Sequence, residues 1–265
     1  MLSRRQMIRY CGAAASPWAA GAQQAIAKRK TLLVVGSHMD DCEAIAGGVI
    51  LKAVHDGLRV VLVQAVSDWS NWPPAQGREK KVAAGVERIA KEFGFEKILL
   101  GYKYHHVPVD HDLKLRIARI VDEVRPDIAI IMSESDYWTD HANIARAAKD
   151  GIMFPHGYLA RVVPSPRVIL AGSASPHQTH DFQPDTYVDI SPYVRSYAAM
   201  LDSLDALLTD SSPVVSTLSL KGSEPIEMSH GTEKAVTQRS VWGDMCGVRF
   251  AEAFRAIRKP PAELW

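Results

Sequence analysis

One imidazole and three carboxylates share the six residues His38-Met39-Asp40-Asp41-Cys42-Glu43. Like charges crowded into one turn repel, so such a loop needs a cation or a catalytic task to offset the cost. At this spacing His38 and Asp41 can both point at one metal ion while Asp40 stays close by, unligated. The plainer reading is a polar turn in which Asp40 or Asp41 caps the following helix. A second cluster runs from Ser133 to Trp138-Thr139-Asp140-His141 and again joins an Asp to a His. Thr139 as an ordinary helix cap would account for that segment alone. Together, His38, Asp41 and His141 make a His/Asp/His set with a fourth position open for water, the pattern of a catalytic rather than a structural metal centre. Zinc is the expected ion for those donors, and Fe2+ or Mn2+ would accept the same set.

Both clusters follow short apolar runs, Thr31–Gly36 before the first and Asp127–Met132 before the second. The runs are continuous rather than alternating, as in strands buried on both faces. Leu58–Val66, Lys97–Leu100 and Arg167–Ala171 have the same character. Between them Val82, Val86, Ile89, Ala90 and Phe93 recur with helical spacing, as do Leu113, Ile117, Ile120, Val121 and Val124. Arg125-Pro126 ends the second of these helices. This alternation predicts an α/β fold, a single Rossmann-like domain over residues 28–265 with a mostly parallel sheet covered by helices on both faces. In such sheets ligands lie beyond the carboxyl ends of the strands, where both clusters fall. The fingerprint G-x-G-x-x-G is missing from the first turn, which makes dinucleotide binding the weakest reading. From Pro155 to Lys234 the composition shifts to Pro, Ser and Thr, predicting loops and one helix near Tyr193–Leu208.

At 47% hydrophobic and 23% charged, the 265-residue chain is neither disordered, collagen-like nor coiled-coil in composition. No apolar run is long enough for a transmembrane helix. With 31 basic against 30 acidic residues, the chain has no field to attract a polyanion, so nucleic acid is not an expected partner. A small-molecule or glycan substrate is expected instead, and a homo-oligomer stays open. Residues 1–27 read as a separate piece. Arg4-Arg5, a weakly apolar stretch from Cys11 to Ala27 without an acid, and the closing Ala25-Ile26-Ala27 form a twin-arginine-like export signal. Its removal predicts a mature protein starting near Lys28, in the periplasm or outside the cell, with 28 basic and 30 acidic residues. Cys42 and Cys246 then remain, spaced for neither a disulfide framework nor a zinc knuckle, and are expected to be free.

His38-Met39-Asp40-Asp41-Cys42-Glu43 through Gly47-Gly48 resembles the H-P-D-D-x-E…G-G signature of the PIG-L/LmbE family of zinc-dependent N-deacetylases. Trp138-Thr139-Asp140-His141 is similar to that family's H-x-D-H motif. Gly247-Val248-Arg249-Phe250-Ala251-Glu252-Ala253-Phe254 resembles its G-x-x-Y-A-E-x-F ending, and Val188-Asp189-Ile190-Ser191 resembles a common late segment. The resemblance implies that His38, Asp41 and His141 hold the metal, that Asp40 is the general base, and that Asp140 orients a ligand histidine. It implies hydrolysis of an N-acetyl amide on an amino sugar or glycoconjugate, releasing acetate and a free amine. A different N-acyl amide, or a sugar-binding protein that has lost catalysis, are the alternatives.

Three departures from the family pattern stand out. Met39 replaces a proline, Trp138 replaces the first histidine of H-x-D-H, and the H-x-S-Q stretch after the late V-D-I-S segment is missing. An indole N–H can donate a hydrogen bond but cannot carry a proton to a leaving amine. Either zinc works alone or a histidine from elsewhere supplies the acid, first His230 in the polar loop Met228-Ser229-His230-Gly231, with His177 and His180 in reserve. Trp69, Trp72 and Arg78 follow the second strand, where family members hold substrate. Trp69 and Trp72 either stack on a sugar face or pack within an exposed loop, Arg78 either reaches substrate hydroxyls or sits at a solvated helix start, and Trp138 is a further expected substrate contact.

Overall fold

Thr31–Gly36 (β1) has six buried residues in a row, which requires a strand on each edge and helices over each face. In the computed structural model, which describes residues 29–174, 179–209, 215–218 and 224–259, β1 lies between two parallel neighbours, β2 (Arg59–Asp68) and β4 (Ile128–Met132). The export signal expected over residues 1–27 lies outside the described residues, as does His177. The remaining strands of this sheet are β3 (Glu96–Lys103), β5 (Val168–Gly172), β6 (Thr186–Asp189) and β9 (Ala251–Arg258). The described strands run in the order β3-β2-β1-β4-β5-β9-β6. The first five are parallel, and β9 runs antiparallel between β5 and β6. A separate antiparallel ribbon pairs β7 (Val215–Leu218) with β8 (Ile226–Ser229).

The chain steps outward from β1 to β3, then returns to begin β4 on the other side of β1. The order therefore reverses between β1 and β4, and the crevice beyond their carboxyl ends is where such sheets take ligands. Helices α1 (Asp41–His55), α2 (Glu79–Phe93), α6 (Val194–Thr209) and α7 (His230–Cys246) pack against one another, as do α3 (His111–Val124), α4 (Thr139–Met153) and α5 (Pro155–Leu159). α3 starts where the Asp110 carboxylate accepts from Leu113 N–H at 2.8 Å, and it ends at Arg125 with φ 52°, just before Pro126.

The expected strands and helices of the first half are present. Met228–Gly231 is not the expected polar loop but the end of β8 and the start of α7, where Ser229 caps the helix through Thr232 N–H. α7 escapes a periodicity search because its buried positions (Thr232, Val236, Arg239, Trp242, Gly243) mix polar with apolar residues.

Gly47-Gly48 and Glu252 serve the fold. Ala46 leaves helical geometry (φ −145°, ψ 20°), so α1 restarts there with open N–H groups. Glu252, on β9, accepts from Gly48 and Val49 N–H at 2.9 and 2.8 Å. A Cβ on Gly47 would stand 2.6 Å from the Tyr197 ring, and one on Gly48 2.6 Å from Ile190. Arg239 is fully buried, 3.9 Å from Glu252, between the rings of Tyr197 and Trp242, and donates to the Ala44 carbonyl. Arg239→Ala would leave the Glu252 carboxylate without a cation in the core, and is expected to lower unfolding free energy by about 3–5 kcal/mol. Denaturant unfolding measures this, and an unchanged midpoint would contradict it.

Candidate active site

Three donor atoms converge at the switch point. His38 stands in the loop after β1, Asp41 opens α1, and His141 lies in the first turn of α4. His38 Nδ1 is 3.0 Å from His141 Nε2, and Asp41 Oδ2 is 3.3 Å from each. The outer nitrogens face carboxylates: His38 Nε2 lies 3.2 Å from Asp140 Oδ2, and His141 Nδ1 lies 3.0 Å from Asp136 Oδ2. Each ring therefore carries its proton outward, and two nitrogen lone pairs meet a carboxylate oxygen across about 3 Å of space. That arrangement is relieved by a positive charge within it, a proton on an inner nitrogen or a metal ion that takes its place. Four-coordinate zinc with bonds of roughly 2.0–2.2 Å wants donors at about this separation. His38, Asp41 and His141 are the described group able to hold a metal.

Asp41 is itself held by the backbone N–H groups of Ser37 (3.1 Å) and His38 (2.6 Å). Glu43 is not in the site. It is fully buried and paired at 2.8 Å with Lys97 Nζ, which also donates to the Met39 carbonyl at 2.6 Å and ties the loop to β3. The family-type glutamate is thus a fastening for the loop.

The cluster's electrostatics favour a bound positive charge. Burial pulls the His38 imidazole down, but its hydrogen bonds to Asp140 and Asp41 carry it up to about 10. Burial also opposes ionisation of Asp41, yet the charges and hydrogen bonds of His141 and His38 hold it well below the usual carboxylate range. Asp40 goes the other way: burial and the neighbouring Asp41 charge push it up to about 6. Of two adjacent carboxylates, one is locked in the anionic form and the other is poised to exchange a proton.

His38, Asp40, Asp41 and His141 line a pocket of about 270 Å³ with aromatic walls, Trp69, Trp72, Tyr104 and Trp138. Trp69 and Trp138 thus both lie in the pocket wall. Arg78 does not reach the pocket wall; its guanidinium donates to the carbonyls of Pro74, Leu207 and Leu208 and clamps the turn before α2 to the end of α6. His230 is exposed on the first residue of α7, with Nδ1 3.3 Å from Glu233, and is not in the pocket wall. His180 packs its ring 4.0 Å from that of Tyr137.

Two residues of this site are not legible in the sequence. Asp136 sits five positions before His141, inside a segment already rich in polar residues, and nothing in its spacing marks it as the partner of His141 Nδ1. Tyr104 follows β3, and only the rule that sites gather at strand ends points to it. Asp136→Asn is expected to weaken metal binding about 10- to 100-fold while leaving the fold intact, because it removes the charge that orients and enriches His141. Metal competition with a chromogenic chelator reads this, and wild-type affinity would contradict it.

The PIG-L family model, described as GlcNAc-PI de-N-acetylase, matches residues 33–152, from β1 through α4 and across both ligand clusters. Over this stretch the chain matches the PIG-L family. Solved structures extend the likeness in fold beyond that stretch. The conserved protein TT1542 of Thermus thermophilus is 18% identical, with a TM-score of 0.69 over 89% of this chain and 98% of that one. GalB, the 4-carboxy-2-hydroxymuconate hydratase of Pseudomonas putida, is 18% identical with a TM-score of 0.68 over 89% and 99%. The N,N'-diacetylchitobiose deacetylase of Pyrococcus horikoshii is also 18% identical, with a TM-score of 0.68 over 89% and 86%. No curated protein sequence matches the chain. A hydratase and a deacetylase resemble this chain equally well in fold, so the reaction has to be argued from the site.

Proposed function

We propose that this protein is a metal-dependent amide hydrolase that removes the acetyl group from an N-acetylated amino sugar or glycoconjugate. The observation that carries the reading is Asp40: an unligated carboxylate, raised to about 6, beside a His/Asp/His donor set in an aromatic-walled pocket. A divalent ion held by His38, Asp41 and His141, zinc by donor type, would supply Lewis-acid polarisation of the amide carbonyl and a more acidic water. Asp40 takes a proton from the attacking water and passes it to the leaving nitrogen. The C–O bond forms first, giving a tetrahedral intermediate, and the C–N bond breaks once the nitrogen is protonated, giving acetate and a free amine. Asp140 and Asp136 keep His38 and His141 aimed inward, and the indole walls face the sugar ring.

A sugar-binding protein without catalysis would not need Asp40 beside the donor set. The test is amine release from a panel of N-acetyl amino sugars and other N-acyl amides by metal-loaded protein. Release from an N-acetyl sugar supports the reading, release only from another N-acyl amide moves the substrate, and binding without release favours the non-catalytic alternative.

The Arg4-Arg5 segment supports export of the folded enzyme, a second proposal independent of the site. Arg4→Lys combined with Arg5→Lys should leave precursor inside the cell, because lysine keeps the charge but not the guanidinium fork. Native protein beginning at Met1 would contradict it.

A further inference from the structure

Amide hydrolysis places growing negative charge on the carbonyl oxygen, and a fixed donor aimed at that oxygen is worth a large factor in rate. His38 and His141 turn their N–H groups away, toward Asp140 and Asp136, and Asp40 is the base. Among the described residues lining the pocket, the other side-chain donors are the indole N–H groups of Trp69, Trp72 and Trp138 and one O–H, that of Tyr104. The Tyr104 ring lies 5.0 Å from that of His38 and 6.1 Å from that of Trp72.

The loop that carries Tyr104 is fixed from several sides. The Tyr104 carbonyl accepts from Asn71 Nδ2 at 2.8 Å, and His106 Nδ1 lies 2.7 Å from it. The N–H groups of His105 and Val107 both end on Asp140, at 2.7 and 3.2 Å. To present its N–H there, His105 adopts φ 62°, a left-handed conformation uncommon for any residue but glycine. Backbone held in such a conformation gathers at functional sites, where the surroundings fix it. The carboxylate that anchors this loop is the one that holds His38, so Tyr104 and the donor set are positioned by one group.

We propose that Tyr104 donates the hydrogen bond that stabilises the oxyanion in the transition state. This rests on the amide-hydrolase reading above. The proton delivered to the leaving amine is the one Asp40 took from water, so no second acid is required.

Tyr104→Phe removes the O–H and keeps the ring. It should lower kcat by about 100- to 1000-fold with bound metal unchanged and KM within about threefold of wild type, the signature of an interaction made in the transition state. A phosphonamidate mimic of the tetrahedral intermediate should bind the variant at least about tenfold more weakly, since such mimics use the same donor. Tyr102→Phe is the control, because that ring lies under Arg116, outside the pocket wall. Wild-type kcat in Tyr104→Phe, with Asp40→Asn still inactive, would overturn the assignment and leave the hydrolase reading standing. Loss of metal together with kcat would show Tyr104 to be structural and would also overturn it. No amine release by metal-loaded wild type on any substrate would remove both proposals.

Discussion

Asp40→Asn is expected to lower kcat by about 100- to 10,000-fold while metal stays bound, since general-base assistance contributes on that scale. The amide keeps the volume of the carboxylate but cannot accept a proton. Asp40 is not among the converging donor atoms, so the metal should stay in place without it. Metal analysis beside steady-state kinetics separates these effects. If Asp40→Asn stripped the metal, Asp40 and Asp41 would have to exchange roles. The pH profile adds a second reading. Burial and the Asp41 charge hold Asp40 at about 6, and the base must be ionised to act, so kcat/KM should rise with pH through an acid limb there and level off above it. A bound cation favours the carboxylate and can only move that limb downward. A limb clearly above 6 would assign the base to another group.

Asp41→Ala and His141→Ala should each lose bound metal and turnover together. Either change leaves two protein ligands, and the lost one is the anchor of its chain segment: Asp41 fixes the loop after β1 through two backbone N–H groups, and His141 joins α4 to Asp136. Because His38 carries a proton up to about 10 in the free site, binding should release protons and weaken as pH falls, with the ligands needed in their deprotonated forms. Calorimetry in buffers of different ionisation enthalpy measures the release. A His141→Ala protein that keeps stoichiometric metal would contradict the ligand set.

His38, Asp41 and His141 are legible in the sequence because each lies within a few residues of the end of a continuous apolar strand, so local pattern already places them at the mouth of the sheet. Asp140 follows for the same reason. Asp136 and Tyr104 are set by tertiary contacts, the one by His141 and the other by a loop wrapped on Asp140. His230 is misplaced by its sequence because α7 buries Thr232 and Arg239 along with Val236 and Trp242, which hides its helical stripe and makes its first turn look like a loop. Glu43, Gly47, Gly48 and Glu252 belong to motifs that look chemical in the sequence. In the fold, Glu43 ties down a loop and the other three shape and cap the bend in α1. Arg78 shows the same lesson, with a guanidinium that donates to backbone carbonyls joining the turn before α2 to the end of α6.

Metal titration coupled to amine release tests the central claim most directly. Chelated protein, reconstituted stepwise with zinc, is expected to release acetate and amine from an N-acetyl amino sugar at a rate that rises linearly with bound metal and levels off at one ion per chain. Full activity in the chelated protein, or one bound ion per chain with no amine released, would contradict it.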